Sequence, residues 1–340
     1  MKKVSVVILN WNGADMLRRF LPSVLACSQA EGVEVCVADN GSTDDSCEII
    51  KWEFPDVRLI RLAENYGFAE GYNKALKQVE AEYVVLLNSD VEVTPDWLTP
   101  MVDYMDTHPD VAACQPKILS YHERNSFEYA GAAGGFIDCY GYPFCRGRIF
   151  ESVEEDRGQY DKVVSVFWAT GAALLIRLKV YQEVGGLDGR FFAHMEEIDL
   201  CWRLRSRGHN VVCLPSSSVY HVGGATLKKD NPHKTFLNFR NNLLMLYKNL
   251  PEKELRRVMC VRACLDYVAA AFFFLKADFH NAHAVIEARK EYLRLRPQFV
   301  DDRRKNLAST RLTDIPERFR FSILWQAKVR GRKVFTALFR

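Results

Sequence analysis

One stretch of the chain, residues 83–93, constrains the fold more than any other. Its first half, residues 83–87, is a short run of apolar and β-branched residues, which is typical of a central strand buried on both faces. The run ends at Asn88, Ser89 and Asp90, small polar residues that cannot continue a buried strand. In an open α/β sheet, ligands bind beyond the carboxyl ends of the strands, so Asp90 is placed to hold a divalent cation against phosphate oxygens. A turn capped by Asx chemistry is the simpler explanation of these residues taken alone.

Before residue 94, strand-like segments alternate with helical patterns of apolar spacing. The strand-like segments are residues 4–9, 34–38, 57–62 and 83–87. This alternation predicts right-handed crossovers and a mostly parallel sheet flanked by helices, which is an α/β fold. Polar residues follow the strand ends, and we expect them to lie together because the carboxyl ends of parallel strands meet at one edge of the sheet. They are Asn10 and Asn12, Asp39 and Asn40, and Asn88 and Asp90.

Asp39 follows the second strand, in the position of the acid that reads a ribose in dinucleotide-binding folds. A G-x-G-x-x-G loop after the first strand is absent from the sequence, and so is a G-x-x-x-x-G-K-[ST] loop. The phosphates of a nucleotide would then be held in another way. A metal ion bound to Asp90 is the economical solution.

The second half of the chain begins with an irregular region, residues 121–161, that is rich in Gly and aromatic residues. A loop region this long is normally functional or disordered, and its aromatics favour an ordered loop over a substrate. Glu196, Glu197 and Asp199 fall in the first turn of a predicted helix, where the macrodipole alone is a sufficient reason for carboxylates. Three acids within four positions exceed what capping needs, although a solvated face also explains them. His221 ends a later strand, where a lone histidine is more often structural than a ligand.

The overall composition is that of a soluble globular protein, with a formal net charge of +3. The 10 cysteines form no C-x-x-C pair, and those in apolar runs, such as Cys36 and Cys213, are typical of buried thiols in a reducing compartment such as the cytoplasm. No signal peptide is expected before the first strand. No membrane-spanning helix is expected either, because the most apolar later stretch, residues 267–275, is shorter than a bilayer requires.

The C-terminal part differs from the rest in charge, since residues 251–340 contain 20 Lys and Arg against 10 Asp and Glu. Residues 252–295 predict two helices, the first of which either packs on the body or lies on an anionic bilayer. The last segment, residues 321–340, mixes Phe, Trp and Leu with basic residues. That pattern fits a membrane surface better than nucleic acid, because no nucleic-acid motif accompanies it, and simple packing is an equal alternative.

Taken together, the motifs resemble those of glycosyltransferase family 2, a large family of inverting enzymes with the GT-A fold. The likeness is closest to the bacterial rhamnosyltransferase-like and galactofuranosyltransferase-like members. The matching segments lie in family order: residues 6–13 (VVILNWNG), 39–44 (DNGSTD), 65–69 (NYGFA), 87–90 (LNSD), 170–172 (TGA), 185–188 (GGLD), 196–203 (EEIDLCWR) and 219–221 (VYH). None of them is decisive alone, and their combination is highly specific.

The resemblance implies a GT-A domain at residues 1–230, with a Rossmann-like, mostly parallel sheet flanked by helices. Its nucleotide-sugar half would be residues 1–118 and its acceptor half residues 119–230, followed by a helical C-terminal region at residues 231–340. The donor site comprises polar and glycine positions at the strand ends and the start of the third helix: Asn10, Asn12, Asp39, Asn65, Gly71, Asn73, Asn88 and Asp90. Within this set, Asp39 would contact the nucleobase or ribose.

The resemblance also implies a metal and a base. Asp90 is the last acid of the D-x-D motif and would bind the Mn²⁺ or Mg²⁺ that bridges the diphosphate. His221 matches a histidine that joins the metal shell. Glu197 matches the catalytic base of the E-D-x-D motif, with Glu196 and Asp199 placed to position the acceptor or to support the base.

Two residues depart from the family pattern. Asn88 replaces the first Asp of D-x-D, which removes one negative charge at the metal. Glu197 replaces the usual Asp, so the base reaches one methylene further and Glu196 is a candidate to share its role.

The implied activity is metal-dependent, inverting transfer of a sugar from dTDP-rhamnose or a UDP-sugar to a hydroxyl of a growing bacterial cell-surface glycan or lipid-linked oligosaccharide. The enzyme would work in the cytoplasm or peripherally on the inner face of the cell membrane, with no nucleic-acid partner. Two alternatives stay open. A sugar nucleotidyltransferase of the same fold would require a basic, Gly-rich loop after the first strand, where this chain has Asn-Trp-Asn-Gly. A nucleotide- or glycan-binding protein without turnover is supported only by the departures at Asn88 and Glu197.

Overall fold

The structure, a computed structural model, describes residues 1–223 and 231–339. The strands are β1 (Lys2–Asn10), β2 (Val33–Asp39), β3 (Arg58–Arg61), β4 (Ala81–Asn88), β5 (Val91–Val93), β6 (Val111–Ser120), β7 (Gly135–Ile137), β8 (Pro143–Cys145), β9 (Arg148–Ile149), β10 (Ser152–Val153), β11 (Val164–Ser165), β12 (Ala173–Arg177) and β13 (Asn210–His221). The helices are α1 (Ala14–Ala26), α2 (Ser46–Glu53), α3 (Gly67–Leu76), α4 (Thr99–Thr107), α5 (Leu178–Glu183), α6 (Glu196–Ser206), α7 (Pro232–Asn249), α8 (Glu252–Leu275), α9 (Phe279–Leu295) and α10 (Val300–Ala308). The predicted domain boundary at residue 230 and the last residue of the tail, Arg340, lie outside the described residues.

The main sheet has the strand order β11–β13–β6–β12–β4–β1–β2–β3, and β5 pairs with β13. Strands β3, β2, β1 and β4 are parallel to one another, and β6 is parallel to β13. The predicted α/β fold, with a mostly parallel sheet flanked by helices, is therefore confirmed. Among the central strands β12 is the exception, because it runs antiparallel between β4 and β6.

The central strand β4 is buried on both of its faces. Tyr83, Val85 and Leu87 point into one apolar core with α1 and α4, whereas Val84 and Leu86 point into the core on the other side of the sheet. All five side chains are shielded from solvent. This double burial explains why the strand is a continuous apolar run rather than an alternating one, and it places the polar residues that follow at the edge of the sheet.

The region between β6 and β12 is ordered, as predicted, and contains a second sheet with the order β10–β9–β8–β7. These strands are two or three residues long, which is too short for a hydrophobic period to be visible in the sequence. Lys117 of β6 fastens the region through ion pairs with Asp156, at 2.7 Å, and with Asp161. The position of this region over a substrate stays a prediction.

The C-terminal region is helical, as predicted, and the tail that follows α10 packs on the second sheet. The ring centroids of Phe319 and Phe335 lie 5.5 Å and 5.2 Å from that of Phe136, and Ile323 is fully buried. Trp325 is exposed. Of the two interpretations of the tail, the structure supports packing for its buried aromatic and aliphatic side chains.

Alone among the described helices, α8 is long and apolar enough to cross a membrane by length and composition. It contains an 18-residue window with a mean hydropathy of 1.9, of which 22% is buried. The expectation of no such helix considered residues 267–275 alone, because Arg262 and Asp266 precede them. Length and composition do not distinguish a span from a helix that packs on a protein, and in α8 these two charged residues are buried against the body.

Candidate active site

The turns after β1 and β2 meet at the carboxyl edge of the sheet, where Asn10 pairs in register with Asp39. The Asn10 amide donates to Asp39 Oδ1 at 3.3 Å, and the backbone N–H of Ser42 donates to Asp39 Oδ2 at 3.0 Å. Asn12 Oδ1 accepts from the backbone N–H of Thr43 at 2.7 Å. The structure thus joins three of the predicted donor residues, Asn10, Asn12 and Asp39, in one bonded cluster.

Buried Asn40 connects this cluster to the start of α3. Its Nδ2 donates to Asn65 Oδ1 at 3.1 Å and to the Gly67 carbonyl at 3.0 Å. Gly67 has φ of +73°, and a Cβ there would lie 2.4 Å from the ring of Phe192, so this close approach requires glycine. The predicted Asn65 therefore lies beside the donor cluster.

Asp90 and His221 are brought together by the pairing of β5 with β13, in which Val91 is opposite His221. His221 Nε2 lies 3.1 Å from Asp90 Oδ1, and His221 Nδ1 lies 3.3 Å from Glu128 Oε2. All three ionisable side chains are buried. Burial disfavours the imidazolium, but hydrogen bonds and charges from Asp90 and Glu128 outweigh it and raise the pKa of His221 to about 10. Asn88 Nδ2 lies 3.4 Å from the same His221 nitrogen.

The donor atoms of this cluster fit a divalent cation that is shared with a diphosphate. Asp90 offers a carboxylate oxygen and His221 an imidazole nitrogen, and such cations are typically held by one or two carboxylates together with phosphate oxygens. Among the described residues, no group of three or more His, Cys, Asp or Glu side chains forms a complete cation site. A cation here would take its remaining ligands from the nucleotide, and His221 would have to give up a proton to bind it.

The two glutamates that open α6 occupy a shielded site. Glu196 is buried, and Glu197 is half-buried; one oxygen of each is shielded without a hydrogen-bond partner among the described residues. Burial, with repulsion from Glu197 and Asp199, raises the pKa of Glu196 well above its usual value. Burial raises the pKa of Glu197 to about 7. Glu197 is therefore able to accept a proton near neutral pH.

Asp199 anchors α6 inside the protein. Its Oδ1 accepts from Asn249 at 2.8 Å, and its Oδ2 accepts from Lys248 at 2.8 Å and from Arg203 at 3.0 Å. Although burial opposes ionisation, the charges of Lys248 and Arg203 lower the pKa of Asp199. Both of its oxygens are used in these contacts, so Asp199 supports the helix.

The loop before α6 is strained. φ is +66° at Phe192, +70° at His194 and +71° at Met195, a region that side chains rarely adopt. Each such residue costs about 1–3 kcal/mol and persists only where the surroundings hold it. On the donor side, the Phe192 carbonyl accepts from the backbone N–H of Phe68 at 2.7 Å, so the loop touches the start of α3.

On the opposite side, Asn241 of α7 holds the same loop. Its Nδ2 lies 2.9 Å from the carbonyl oxygens of Phe191 and Ala193 and 2.8 Å from that of His194. One buried amide thus contacts three carbonyls within four residues, and it fixes the direction in which α6 begins.

The turn at residues 169–172 joins α6 to the strand end that carries Asp90. The backbone N–H of Ala169 lies 3.5 Å from Cys201 Sγ, one helical turn after Glu197. The backbone N–H of Asn88 donates to the Ala172 carbonyl at 3.0 Å. This chain of contacts places Glu197 and Asp90 at the same edge of the sheet.

Two further predicted donor residues, Asn73 and Gly71, make contacts within the protein. Asn73 donates to the Leu187 carbonyl at 2.8 Å and accepts from the Leu187 N–H at 3.1 Å and the Tyr181 hydroxyl at 2.6 Å, so its amide is occupied. A Cβ at Gly71 would lie 3.0 Å from Asn40 Nδ2, so this glycine lets α3 pack closely on the sheet. The sequence could not separate these residues from Asn65, because all three fall in one polar, glycine-rich helix start.

Two further residues contact the site: Glu128, which was not predicted, and Asn241, which belongs to the polar run at residues 240–242 that the sequence places near the edge of the site. Glu128 lies in the irregular region after β6, where neither a motif nor a period marks it. Asn241 carries a weak signal, since it belongs to a run of three polar residues within a helix that is otherwise largely apolar on its buried side.

The sequence profile described as "Glycosyl transferase family 2" matches residues 5–185, which is just over half of the chain. The O-antigen biosynthesis protein RfbC of Myxococcus xanthus is 28% identical over 232 residues, or 67% of this chain and 18% of RfbC. An N-acetylglucosaminyl-diphospho-decaprenol L-rhamnosyltransferase of Mycobacterium tuberculosis is 28% identical over 234 residues, or 64% of this chain and 75% of that protein. The chain therefore spans less than a fifth of RfbC and about three quarters of the rhamnosyltransferase.

The fold has counterparts among solved structures. The mannosyltransferase PcManGT from Pyrobaculum calidifontis, in complex with GDP-Man and Mn²⁺, superimposes with a TM-score of 0.53 at 15% sequence identity. The match covers 86% of this chain and 87% of that one. At this identity the likeness concerns the fold, which is the GT-A fold.

Proposed function

This chain belongs to glycosyl transferase family 2, and from that membership we propose that it is an inverting glycosyltransferase, which moves a sugar from a nucleotide-sugar to a hydroxyl group of a glycan or lipid-linked acceptor. The observation that carries the proposal is Glu197, a half-buried carboxyl group whose pKa is raised to about 7. It lies at the sheet edge that also carries Asp39 and Asp90. Inversion at an anomeric carbon requires a base for the acceptor hydroxyl, and a group with this pKa can serve near neutral pH.

The reaction assigned to this site is a single displacement. The acceptor oxygen bonds to the anomeric carbon as the bond from that carbon to the nucleotide diphosphate breaks, and the hydroxyl proton moves to the Glu197 carboxylate. Burial and the charge of Glu197 raise the pKa of Glu196 well above its usual value, so a protonated Glu196 can donate a hydrogen bond beside the base. Asp199 holds the helix that carries both glutamates.

The donor would lie over the polar cluster at the ends of β1, β2 and β4. Asp39 would bind the nucleobase or ribose, with Asn10, Asn12 and Asn65 around it. This assignment is supported by the hydrogen bonds that fix these side chains to one another. It leaves Asn73 and Gly71 outside the nucleotide contacts.

Asp90 and His221 would hold a divalent cation, Mn²⁺ or Mg²⁺, against the diphosphate. The cation supplies positive charge for the leaving group. Asn88, in place of a second acid, contributes an amide near His221 and leaves the site with one negative charge fewer. Glu128 would accept a hydrogen bond from His221 Nδ1, so that Nε2 is presented to the cation; a carboxylate behind a ligating histidine commonly has this function.

The names of the relatives support a bacterial cell-surface glycan as the product. One relative is named for rhamnosyl transfer to an N-acetylglucosaminyl-diphospho-decaprenol and another for O-antigen biosynthesis. We therefore infer dTDP-rhamnose or a UDP-sugar as the donor and a lipid-linked oligosaccharide as the acceptor. The enzyme would act in the cytoplasm, peripherally on the inner face of the membrane.

The proposal is tested by nucleotide release and binding with a panel of UDP-, dTDP- and GDP-sugars, in Mn²⁺ or in EDTA. We expect one nucleotide class to bind and to be released only in the presence of the metal. Asp90→Ala should abolish metal-dependent binding, and His221→Ala should weaken it by about 10- to 100-fold.

The matched control is Asp56→Ala, which removes an exposed acid before β3, at the opposite edge of the sheet, and should change nothing. Metal-dependent binding that survives in Asp90→Ala would overturn the metal assignment. Binding of a nucleotide-sugar without transfer of its sugar to any acceptor or to water, and so without release of nucleotide, would favour a binding protein without turnover.

A further inference from the structure

Helix α8 is inverted relative to a helix of a soluble protein. The residues that face the body include both of its central charged residues: Arg262 is 1% exposed and Asp266 is 0% exposed, on a buried stripe with Val258 and Ala270. Large apolar residues face outward instead, among them Val268 at 65% and Leu275 at 83% exposure. A helix that packs on a protein and meets water on its other side has the opposite arrangement.

The buried charges fasten α8 to the body. Arg262 pairs with Asp266 at 3.2 Å and donates to the Tyr140 carbonyl at 3.1 Å, and Arg289 of α9 pairs with Asp266 at 2.6 Å. Moving the helix off the body would break the contacts of Arg262 with the Tyr140 carbonyl and of Asp266 with Arg289, which is costly for buried charges. The helix therefore presents its outer side from a fixed position.

The outer side of α8 is one continuous stripe. At 100° per residue, Lys253, Arg257 and Arg256 lie on the same face as the outward apolar residues that follow them, and all three are exposed. The stripe is basic in its first turns and apolar in its last turns. At the α8–α9 turn, Lys276 lies 4.4 Å from the ring centroid of Phe272, so a basic group also stands at the apolar end.

The apolar surface continues around the turn into α9. We define the docking face as the exposed apolar residues Tyr267, Val268, Phe272, Phe274, Leu275 and Phe279; each is more than half exposed. Phe274 and Phe279 pack edge to face across the turn, with ring centroids 5.1 Å apart. A contiguous patch of exposed aromatic residues at a helical hairpin is typical of a surface that binds a protein partner or a membrane.

We propose that the docking face binds the surface of an anionic lipid bilayer, with the α8–α9 turn in the interfacial region and the body of the protein outside it. The composition of the helix suits hydrocarbon contact, since an 18-residue window of it has a mean hydropathy of 1.9. The surrounding charge suits anionic headgroups: between residues 252 and 296, seven Lys and Arg residues are exposed and one acid, Glu252, is exposed. A second copy of the chain would bring the same positive charge to the interface, which disfavours self-association.

This inference deepens the proposed function, because an acceptor anchored in a membrane by its lipid must be reached from the membrane surface. The purpose of membrane binding, which is to reach this acceptor, rests on the proposed function. The structural argument for the docking face needs neither donor nor acceptor.

The test is co-sedimentation of the full chain with vesicles of phosphatidylcholine and phosphatidylglycerol, and with vesicles of phosphatidylcholine alone. We expect binding to the anionic vesicles that weakens with added salt. The triple variant Phe272→Ser, Phe274→Ser, Leu275→Ser should lose binding by at least about tenfold, because three large apolar side chains no longer enter the interface. Arg256→Gln with Arg257→Gln should lose about tenfold or more on anionic vesicles only.

Two controls separate this surface from others. Trp52→Ser removes an exposed aromatic from α2, in the first half of the chain, and Trp325→Ser removes one from the tail; both should bind as the unchanged protein does. As a second measurement, Cys260 and Cys264 are exposed on the outer side of α8, so vesicles should slow their reaction with a maleimide.

Unchanged vesicle binding in the triple variant would overturn the proposal, and so would loss of binding in Trp325→Ser alone. If the protein does not bind vesicles but forms a dimer, and the triple substitution abolishes that dimer, the docking face binds a second copy of the chain instead of a membrane. Because the assay contains no nucleotide-sugar, failure to bind vesicles leaves the glycosyltransferase proposal standing, and an inactive enzyme that binds vesicles leaves the docking face standing.

Discussion

Adjacent glutamates at the start of α6 both have raised pKa values, and the geometry of the helix separates their roles. Burial raises the pKa of Glu197 to about 7. Burial, with repulsion from Glu197, raises the pKa of Glu196 well above its usual value, so ionisation of both together is unfavourable. Adjacent helical residues also point about 100° apart, so only one of the two can face an acceptor hydroxyl squarely.

We expect Glu197→Gln to lower the rate of transfer by roughly two to four orders of magnitude, because glutamine keeps the shape and removes the basicity. Binding of the nucleotide-sugar should survive. In the unchanged enzyme, kcat should fall as the pH drops below about 7, since protonated Glu197 cannot accept the hydroxyl proton. The measurements are kcat as a function of pH and the Kd of the donor by calorimetry.

The matched variant is Glu196→Gln, which should keep most of the activity and the acid limb of the profile. If Glu196→Gln shows the large loss and Glu197→Gln does not, the base is the neighbouring residue. If neither variant loses activity, the glycosyltransferase proposal itself fails.

For individual residues, the sequence identified candidates that belong to linear motifs. It did not identify residues whose contacts are with a part of the chain distant in sequence. Asp39, Asp90 and His221 follow strand ends and were predicted, and the structure brings Asp90 and His221 into contact. Glu128 reaches His221 from a separate region of the chain, and no local pattern reports that approach. The hydrogen bonds of Asn73 were not visible in the sequence for the same reason, because its partners Leu187 and Tyr181 are distant in sequence.

Among the elements, the loop before α6 decides where the two glutamates point. Three residues with positive φ turn the chain into the helix, and the Asn241 amide of α7 donates to the carbonyl oxygens of Ala193 and His194 in the same loop. Sequence periodicity predicted that a helix begins at the acids, and it does. The left-handed conformation was not predictable, since Phe192 and Met195 are not residues that favour it.

We expect Asn241→Ala to lower kcat by about 10- to 100-fold, because a displacement of about 1 Å at the base is sufficient for a loss of that size. The Kd of the donor should stay within about twofold, since Asp39 and Asp90 lie on other elements. The acid limb of the pH profile should move below that of the unchanged enzyme, as a looser loop lets water reach Glu197 and its pKa returns toward the usual value.

Asn238→Ala on the same helix is the control, because Asn238 makes no bond to this loop within the described residues. Equal losses in both asparagine variants would indicate a general effect on α7. An Asn241→Ala enzyme that keeps its kcat would show that the loop before α6 holds its conformation without the hydrogen bonds from Asn241.

Across the whole molecule, strand order and strand direction depend on contacts that no short window contains. Alternation of strands and helices predicted the parallel half of the sheet correctly, whereas β12 enters antiparallel between β4 and β6. The tail is a similar case. Its aromatic and basic residues suited a membrane surface as well as a packed surface, and the partners that decide between these, Phe136 and Phe144, lie far earlier in the chain.

The tail supplies the last prediction, which concerns stability. Residues 321–339 place Ile323, Phe335 and Leu338 in the apolar core, and Asp138 accepts from the backbone N–H of Ile323 at 2.9 Å. We expect a chain that ends at residue 320 to lose several kcal/mol in the free energy of unfolding, on the order of 2–5 kcal/mol for each large buried side chain removed. Urea denaturation followed by near-ultraviolet circular dichroism measures the loss.

Two point variants separate packing from the mere presence of the tail. Phe335→Ala should cost about 3–5 kcal/mol, because it opens a cavity among the rings of Phe136 and Phe144. Trp325→Ser, at an exposed position, should change the free energy of unfolding by no more than about 0.5 kcal/mol. A shortened chain that unfolds at the same urea concentration as the full chain, and is released from anionic vesicles, would instead make the tail the membrane anchor. Since the aromatic rings of the tail pack on the second sheet, we expect the shortened chain to lose stability, and we do not expect it to lose vesicle binding while it stays folded.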